Sequence, residues 1–294
     1  MSLKSKYKIV KLIHNYLGIG YVELASSYIH KRNVNLDLDN NRINVRVYDL
    51  PSVIRLSENN WKIVSSSEDK VTWKSSDNTI VTCRTNIGFD FGHLSEIFLE
   101  KVYGTNFNNQ NILDIGMSNG DSSIYFAKEG AKRVIGIEPD SRSFLLATTN
   151  IKASKVEDKV TILNKAVSET RGDIKLIVYD RNPNANSIEE GNMVKIKDTK
   201  HEEIVKSLRL KDIIDMFDGE QIYLLKMDCE GCEYSVLKAL DTNSYSRIKS
   251  IIMEYHNGLQ FLRDVLESNG FVVNVIPSND KIGYIKAEKK TFKN

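Results

Sequence analysis

"ILDIGMSNGDSSIYFAKEGAKRVIGIEPD", residues 112–140, decides how the rest of the chain is read. An apolar run enters Gly116, a short loop reaches Gly120, and a helix-forming segment begins near Asp121. A second apolar run, "RVIGIE", ends in Glu138. Strand, glycine turn, helix and strand make a βαβ unit, in which glycines let the backbone turn sharply and approach a ligand closely. Glu138 stands about where dinucleotide folds place the acid that binds ribose hydroxyls. The glycines do not follow G-x-G-x-x-G, because Met117, Ser118 and Asn119 separate Gly116 from Gly120. Asp114 also precedes the loop, and a carboxylate suits a cationic group, such as the amino group of a methionine moiety, better than a phosphate. No G-K-[ST] loop is present. The pattern therefore points away from NAD or ATP and towards S-adenosylmethionine. The plainer alternative is that Asp114 caps a turn and Glu138 is merely exposed.

Outward from this unit, β–α alternation continues after Asn109 and predicts a mostly parallel, doubly wound sheet. "KVTILNKAV" reads as the third strand, "LLKMD" and "IKSIIMEYH" as later ones, with helices between. "FVVNVI" and "KIGYIKAE" lie too close together for a parallel crossover, so they pair antiparallel. Before residue 106 the texture differs. Ile9, Leu12, Ile13, Tyr16 and Leu17 have helical spacing, "VTWKSSDNTIVTC" reads as a hairpin, and "FGHLSEIFLEKVYG" as a helix capped by Gly104. The expected organisation is an α+β accessory region over 1–105 and a cofactor-binding domain over 106–294. The irregular stretch from 180 to 200 is a candidate lid.

The 294 residues are 41% hydrophobic and 27% charged, as in soluble globular proteins. No apolar run approaches the roughly 20 residues that cross a bilayer. Lys11, His14 and Asn15 break the N-terminal apolar stretch, which argues against a secretory signal and makes a cytoplasmic location the expectation. A net charge of +2 gives no field that calls for nucleic acid. Lys4, Lys6, Lys8 and Lys11 form a local basic cluster, read as a solvated helix face or a weak membrane or partner contact. Three cysteines are too few for a disulfide framework, so reduced thiols are expected.

With "LDIGMSNGDSSIYFAKEGAKRVIGIEPD", "LNKAVSETRG", "LLKMDCEGCEYSVLKAL" and "SIIMEYH" in view, the chain from about residue 85 onward resembles the FkbM-type S-adenosylmethionine-dependent methyltransferases. The resemblance implies a class I methyltransferase (Rossmann-like) fold and, as the usual activity, O-methylation of sugars or secondary metabolites. The expected cofactor contacts are Asp114, Gly116, Met117, Ser118, Asn119, Gly120, Ser122, Glu138, Pro139, Ala166 and Asp228.

Methyl transfer to a hydroxyl needs an aligned acceptor, a dry site and a group that takes a proton. Asp114, Glu138, Asp228 and Glu254 each close an expected strand, and strand carboxyl ends form the ligand crevice of such sheets. Asp228, Glu230 and His256 are the candidate catalytic residues. The bland readings are that Asp228 only binds the cofactor, that Glu230 and Glu233 cap a helix, and that His256 is structural. A divalent cation on Asp228, Glu230 and Glu254 is chemically reasonable, but no metal is assigned. C-x-x-C at Cys229 and Cys232 raises zinc or redox readings, less expected than two small buried thiols. A small-molecule or glycan acceptor is expected, with oligomeric state left open. The rival functions are a nicotinamide oxidoreductase, a non-catalytic binding module and a nucleic-acid methyltransferase.

Overall fold

Asp39 and Asn40 both take left-handed backbone angles, φ 51° and 60°, and their turn folds one strand back on its neighbour. This hairpin belongs to the first of two compact units, Met1–Val102 and Tyr103–Asn294. The computed structural model describes residues 14, 20–30, 33–188, 198–277 and 282–290. Lys4, Lys6, Lys8, Lys11 and the helix expected around Ile9 lie outside these residues, as does part of the candidate lid.

The first unit runs α1 (Tyr21–His30), β1 (Asn33–Leu38), β2 (Asn41–Arg46), α2 (Leu50–Glu58), β3 (Lys62–Ser66), β4 (Lys70–Lys74), β5 (Ile80–Arg84) and α3 (Asp90–Ser95). β1 pairs with β2, and β3, β4 and β5 form an antiparallel sheet. The hairpin read in "VTWKSSDNTIVTC" is β4–β5, turned at Asn78 with φ 64°. α3 passes into a π-helical turn, Glu96–Glu100, which ends at Lys101 with φ 53°. The helix therefore stops before Gly104, the cap expected from the sequence. Trp73 and Phe91 meet edge to face in the core. Arg84 and Asp90 form a buried pair at 2.7 Å.

The second unit contains β6 (Asn111–Ile115), α4 (Asp121–Lys128), β7 (Arg133–Ile137), α5 (Ser141–Ala153), β8 (Val160–Leu163), β9 (Ala166–Ser168) and β10 (Gly172–Tyr179). It continues with β11 (Lys200–Arg209), α6 (Leu210–Asp215), β12 (Ile222–Met227), α7 (Glu233–Lys238), α8 (Thr242–Ser246), β13 (Ile248–Tyr255), α9 (Gln260–Ser268), β14 (Phe271–Pro277) and β15 (Gly283–Lys289). The central sheet has the order β14-β15-β13-β12-β6-β7-β8. β8, β7, β6, β12 and β13 are parallel, and β15 runs antiparallel between β13 and β14. Leu113, Ile115, Ile135, Ile137, Leu225 and Met227 are all buried, as parallel strands covered on both faces require. This is the doubly wound class I methyltransferase fold. Its winding reverses between β6 and β12, and ligands bind beyond the strand ends at such a switch point.

"KVTILNKAV" is not one strand. β8 stays in the central sheet, whereas β9 leaves it to pair with β11 in a second sheet, β10-β11-β9. Asn164 lies between them and donates to the carbonyls of Glu138 and Pro139, at 2.9 and 3.0 Å, which pins the chain where it changes sheets.

Candidate active site at the switch point

The loop after β6 is shaped by what it must approach. A Cβ added at Gly116 would sit 1.8 Å from the Asp228 carbonyl oxygen, and φ there is +78°, so only glycine fits. The Asp228 N–H donates to the Ile115 carbonyl at 3.0 Å, tying the ends of β6 and β12 together. Gly120, at φ +85°, lies against Ala147 of α5. The Ser118 N–H donates to Glu138 Oε2 and the Asp140 N–H to Glu138 Oε1, both at 2.9 Å. The Glu138 carboxylate is thereby aimed at the mouth of the loop from the end of β7.

Several expected cofactor contacts have partners within the protein. Asp114 is fully buried. Its Oδ2 accepts from Ser122 Oγ at 2.6 Å and Ser123 Oγ at 2.7 Å, and its Oδ1 lies 3.3 Å from Lys226 Nζ. Lys226 thus stands where the sequence reading placed a ligand's amino group. Met117 packs its side chain inward beside Ser123 and Gly136. Asn119 closes the loop, accepting from the Asp121 N–H and, at its carbonyl, from Asn150. Ala166 is buried in β9, and Pro139 is half-buried. Of the other expected contacts, Gly116, Ser118 and Asp228 are half-buried, and Glu138 is held by the Ser118 and Asp140 N–H groups.

The second cluster grows from "DCEGCE", residues 228–233. Glu230 and Gly231 both take positive φ, 57° and 114°, a rare turn for a glutamate. Glu233 is fully buried and folds this turn around itself, accepting from the Cys229 N–H at 3.0 Å and the Gly231 N–H at 2.9 Å. Cys229 and Cys232 are joined by a disulfide, which overturns the expectation of reduced thiols. Their spacing brings the Cα atoms to 5.5 Å, within bridging range.

His256, just past β13, is enclosed by this loop, its side chain only 3% exposed. Nε2 lies 3.4 Å from Glu230 Oε2 and 3.9 Å from Glu254 Oε2, and Nδ1 lies 3.6 Å from Glu233 Oε1. Burial pulls the imidazole pKa down, but Glu233, Glu230 and Asp228 together outweigh it and raise it to about 9. Burial pushes Glu230 up to about 8; His256 opposes this, and Asp228, Glu254 and Glu233 add to it. Negative groups outnumber positive ones around His256, which favours its protonated form. Tyr234 steadies the chain beyond His256, donating to the Gly258 carbonyl at 2.8 Å and accepting from the Asn257 N–H at 2.7 Å.

The described part of the candidate lid reaches both clusters. Asn184 donates to Ser118 Oγ at 3.3 Å, Asn186 to Asp140 Oδ2 at 2.9 Å, and Ser187 Oγ to the Glu230 carbonyl at 2.7 Å. Sequence reasoning missed Ser187, Lys226 and the organising role of Glu233. The available signal for Lys226 was a lysine inside an otherwise apolar strand.

Fold and strand-end acids define a class I methyltransferase-like site. Residues 114–273 match the methyltransferase FkbM domain, and the chain belongs to that family. "Methyltransferase 1" of Beauveria bassiana (strain ARSEF 2860) is 24% identical over 199 residues, covering 61% of this chain and 80% of that protein. Among solved structures, methyltransferase FkbM from Methylobacillus flagellatus KT is similar at 14% identity and TM-score 0.45, over 66% of this chain. The matched region is 47% of that protein's length. TrmK of M. capricolum, in complex with S-adenosyl-homocysteine, is similar at 14% identity and TM-score 0.39, over 68% of each chain.

Proposed function

We propose that the chain transfers a methyl group from S-adenosylmethionine to a hydroxyl oxygen of a sugar or other small metabolite. The observation that carries this reading is the pairing of half-buried Glu230 with buried His256 beyond β12 and β13, on the rim that also carries Glu138. Glu138 suits an adenosine ribose: two backbone N–H bonds orient its carboxylate, and a carboxylate has acceptor capacity beyond two bonds. Gly116 and Ser118 present backbone beside it.

Bound S-adenosylmethionine supplies a methyl group on a positively charged sulfur, so no protein nucleophile is needed. Glu230 is placed to take the proton of an attacking hydroxyl, and it ionises more readily beside a positive charge. His256 supports the ionised glutamate through its Nε2 contact. Asp228 extends the polar wall on which acceptor hydroxyls are oriented.

The reading is tested by calorimetry with S-adenosylhomocysteine and NAD, followed by methyl transfer to a panel of hydroxyl-bearing acceptors. Saturable binding of the homocysteine compound, with acceptor methylation lost in Glu230→Gln but binding kept, is the expected result. Preference for NAD would favour an oxidoreductase and end the proposal.

A further inference from the structure

We propose that Asp228, Glu254 and His256 form a binding site for one divalent transition-metal ion, of manganese type. This deepens the methyl-transfer reading by assigning the same crevice a cation, although binding of the ion does not depend on that reading. One potential ligand atom from each residue lies within 4.8 Å of the other two. Ligands about 2.1 Å from an ion stand about 3 Å apart when adjacent and about 4.2 Å apart when opposite. Closing the set onto an ion therefore requires side-chain shifts of about an ångström.

His256 stands among carboxylates, with Glu233 on its Nδ1 side and Glu230 and Glu254 on its Nε2 side. It is almost closed to solvent, yet Nδ1 makes no hydrogen bond, a state that buried polar groups avoid. Nδ1 faces the Glu233 carboxylate at 3.6 Å, and Glu233 is itself fixed by the Cys229 and Gly231 N–H groups. An imidazole backed on one nitrogen by an anchored carboxylate, with the other turned to further carboxylates, is the arrangement that orients histidine onto a metal. Here the other nitrogen is Nε2, 3.4 Å from Glu230 and 3.9 Å from Glu254, and the ion would replace its contact with Glu230.

Charge points the same way. Asp228, Glu230, Glu233 and Glu254 gather around His256, and a divalent ion would offset part of this negative charge. Sequence reasoning imagined an all-oxygen set, Asp228, Glu230 and Glu254. Putting an imidazole in place of Glu230 moves the preference from magnesium towards metals that accept nitrogen. It also leaves Glu230 beside the ion as a proton acceptor. An ion there would draw in an acceptor hydroxyl and ease its ionisation.

The test titrates Mn2+ alone into the chelator-treated full chain, followed by the loss of the free-ion electron paramagnetic resonance signal. We expect one saturable site, weakened at least about tenfold in Glu254→Gln and in His256→Gln, and far weaker competition from Mg2+ than from Zn2+. Asp212→Asn, distant from the cluster, should bind Mn2+ as the parent does. Glu254 is the more exposed ligand, so its variant remains informative if His256→Gln fails to fold, which thermal melting reports. Absence of saturable binding, binding indifferent to Glu254→Gln, or equal competition by Mg2+ would overturn the proposal. S-adenosylhomocysteine calorimetry on the same sample separates the two readings. Binding of that compound without Mn2+ binding defeats only the metal site, and the reverse defeats only the methyl-transfer reading.

Discussion

Lys226 Nζ and Asp114 Oδ1 lie 3.3 Å apart with both side chains all but closed to solvent, joining β12 to β6 beneath the glycine loop. The ammonium also donates to the Gly116 carbonyl at 2.6 Å, so one buried charge holds both the acid and the turn. Burial works against that charge, yet Asp114, Tyr103 and Asp228 outweigh it and hold the lysine pKa above its ordinary value. Breaking such a pair strands the remaining charge, at a cost of about 3–5 kcal/mol. Lys226→Met should lose that much in urea denaturation. Adding Asp114→Asn should restore most of it, because no unpaired charge then remains. A double variant as unstable as the sum of its parts would show that the two residues act separately.

Gly116→Ala should be more damaging than its single methyl suggests. A left-handed φ costs an L-residue about 1–2 kcal/mol, and the new Cβ would overlap the Asp228 carbonyl. That oxygen belongs to backbone and cannot swing aside as a side-chain end would. The expected outcome is a fall in the denaturation midpoint together with loss of S-adenosylhomocysteine binding. Gly172→Ala, where a Cβ meets nothing within 4 Å although φ is +131°, isolates the strain from the overlap and should cost less.

Glu138→Gln tests the ribose assignment. The amide keeps one acceptor oxygen, but its nitrogen cannot accept from either the Ser118 or the Asp140 N–H. Losing a charged acceptor should cost about 1.5–3 kcal/mol, or about ten- to a hundredfold in S-adenosylhomocysteine affinity by calorimetry. A melting scan without ligand shows how much of the loss is loop disorder. Unchanged affinity would remove Glu138 from the cofactor site.

The parts legible in the sequence share one physical basis. Apolar runs ending in an acid or glycine announce buried parallel strands, so β6, β7, β12 and β13 and their terminal residues could be read directly. Glu138, Asp228, Glu230 and His256 then stand along one edge of the sheet because the strands run parallel and end there. What was not legible depends on contacts across the sheet. Nothing local to Asp114 reveals that Lys226, on the neighbouring strand, neutralises it. The split of "KVTILNKAV" into β8 and β9 is set by Asn164 bonding across to Glu138 and Pro139. Glu233 looks like a helix-capping acid, and only the fold of its own loop turns it towards Cys229, Gly231 and His256.

The Cys229–Cys232 disulfide encloses only Glu230 and Gly231, so it restricts little of the unfolded chain. On loop-closure grounds it contributes about 2 kcal/mol. A phosphine reductant, chosen because it binds metals poorly, should lower the denaturation midpoint modestly and leave the chain folded. Thiol titration after unfolding should count one thiol before reduction, the buried Cys83, and three afterwards. The loop also carries Asp228 and Glu230, so methyl transfer should fall more than stability does. Three thiols in the untreated protein would refute the bridge.

Asp212 gives the pH dependence that is simplest to assign, since it lies apart from the acid cluster. Arg171 reaches it with Nε at 2.6 Å and Nη2 at 2.8 Å, and Arg209 with Nη2 at 2.7 Å. Hydrogen bonds from these two guanidinium groups hold the carboxyl well below the usual carboxylate range, against a smaller effect of burial. A depressed folded-state pKa means that the unfolded chain binds the proton more readily. The stabilisation is therefore complete above about pH 4, where the unfolded carboxyl ionises, and is lost as pH falls through the lower folded value. Asp212→Asn should melt below the parent at neutral pH, and the gap should narrow steadily under pH 4. The exposed arginines, 64% and 46% accessible, make the neutral-pH gap sensitive to salt. A gap that stays constant from neutral pH to strong acid would mean that Asp212 acts through shape and not through charge.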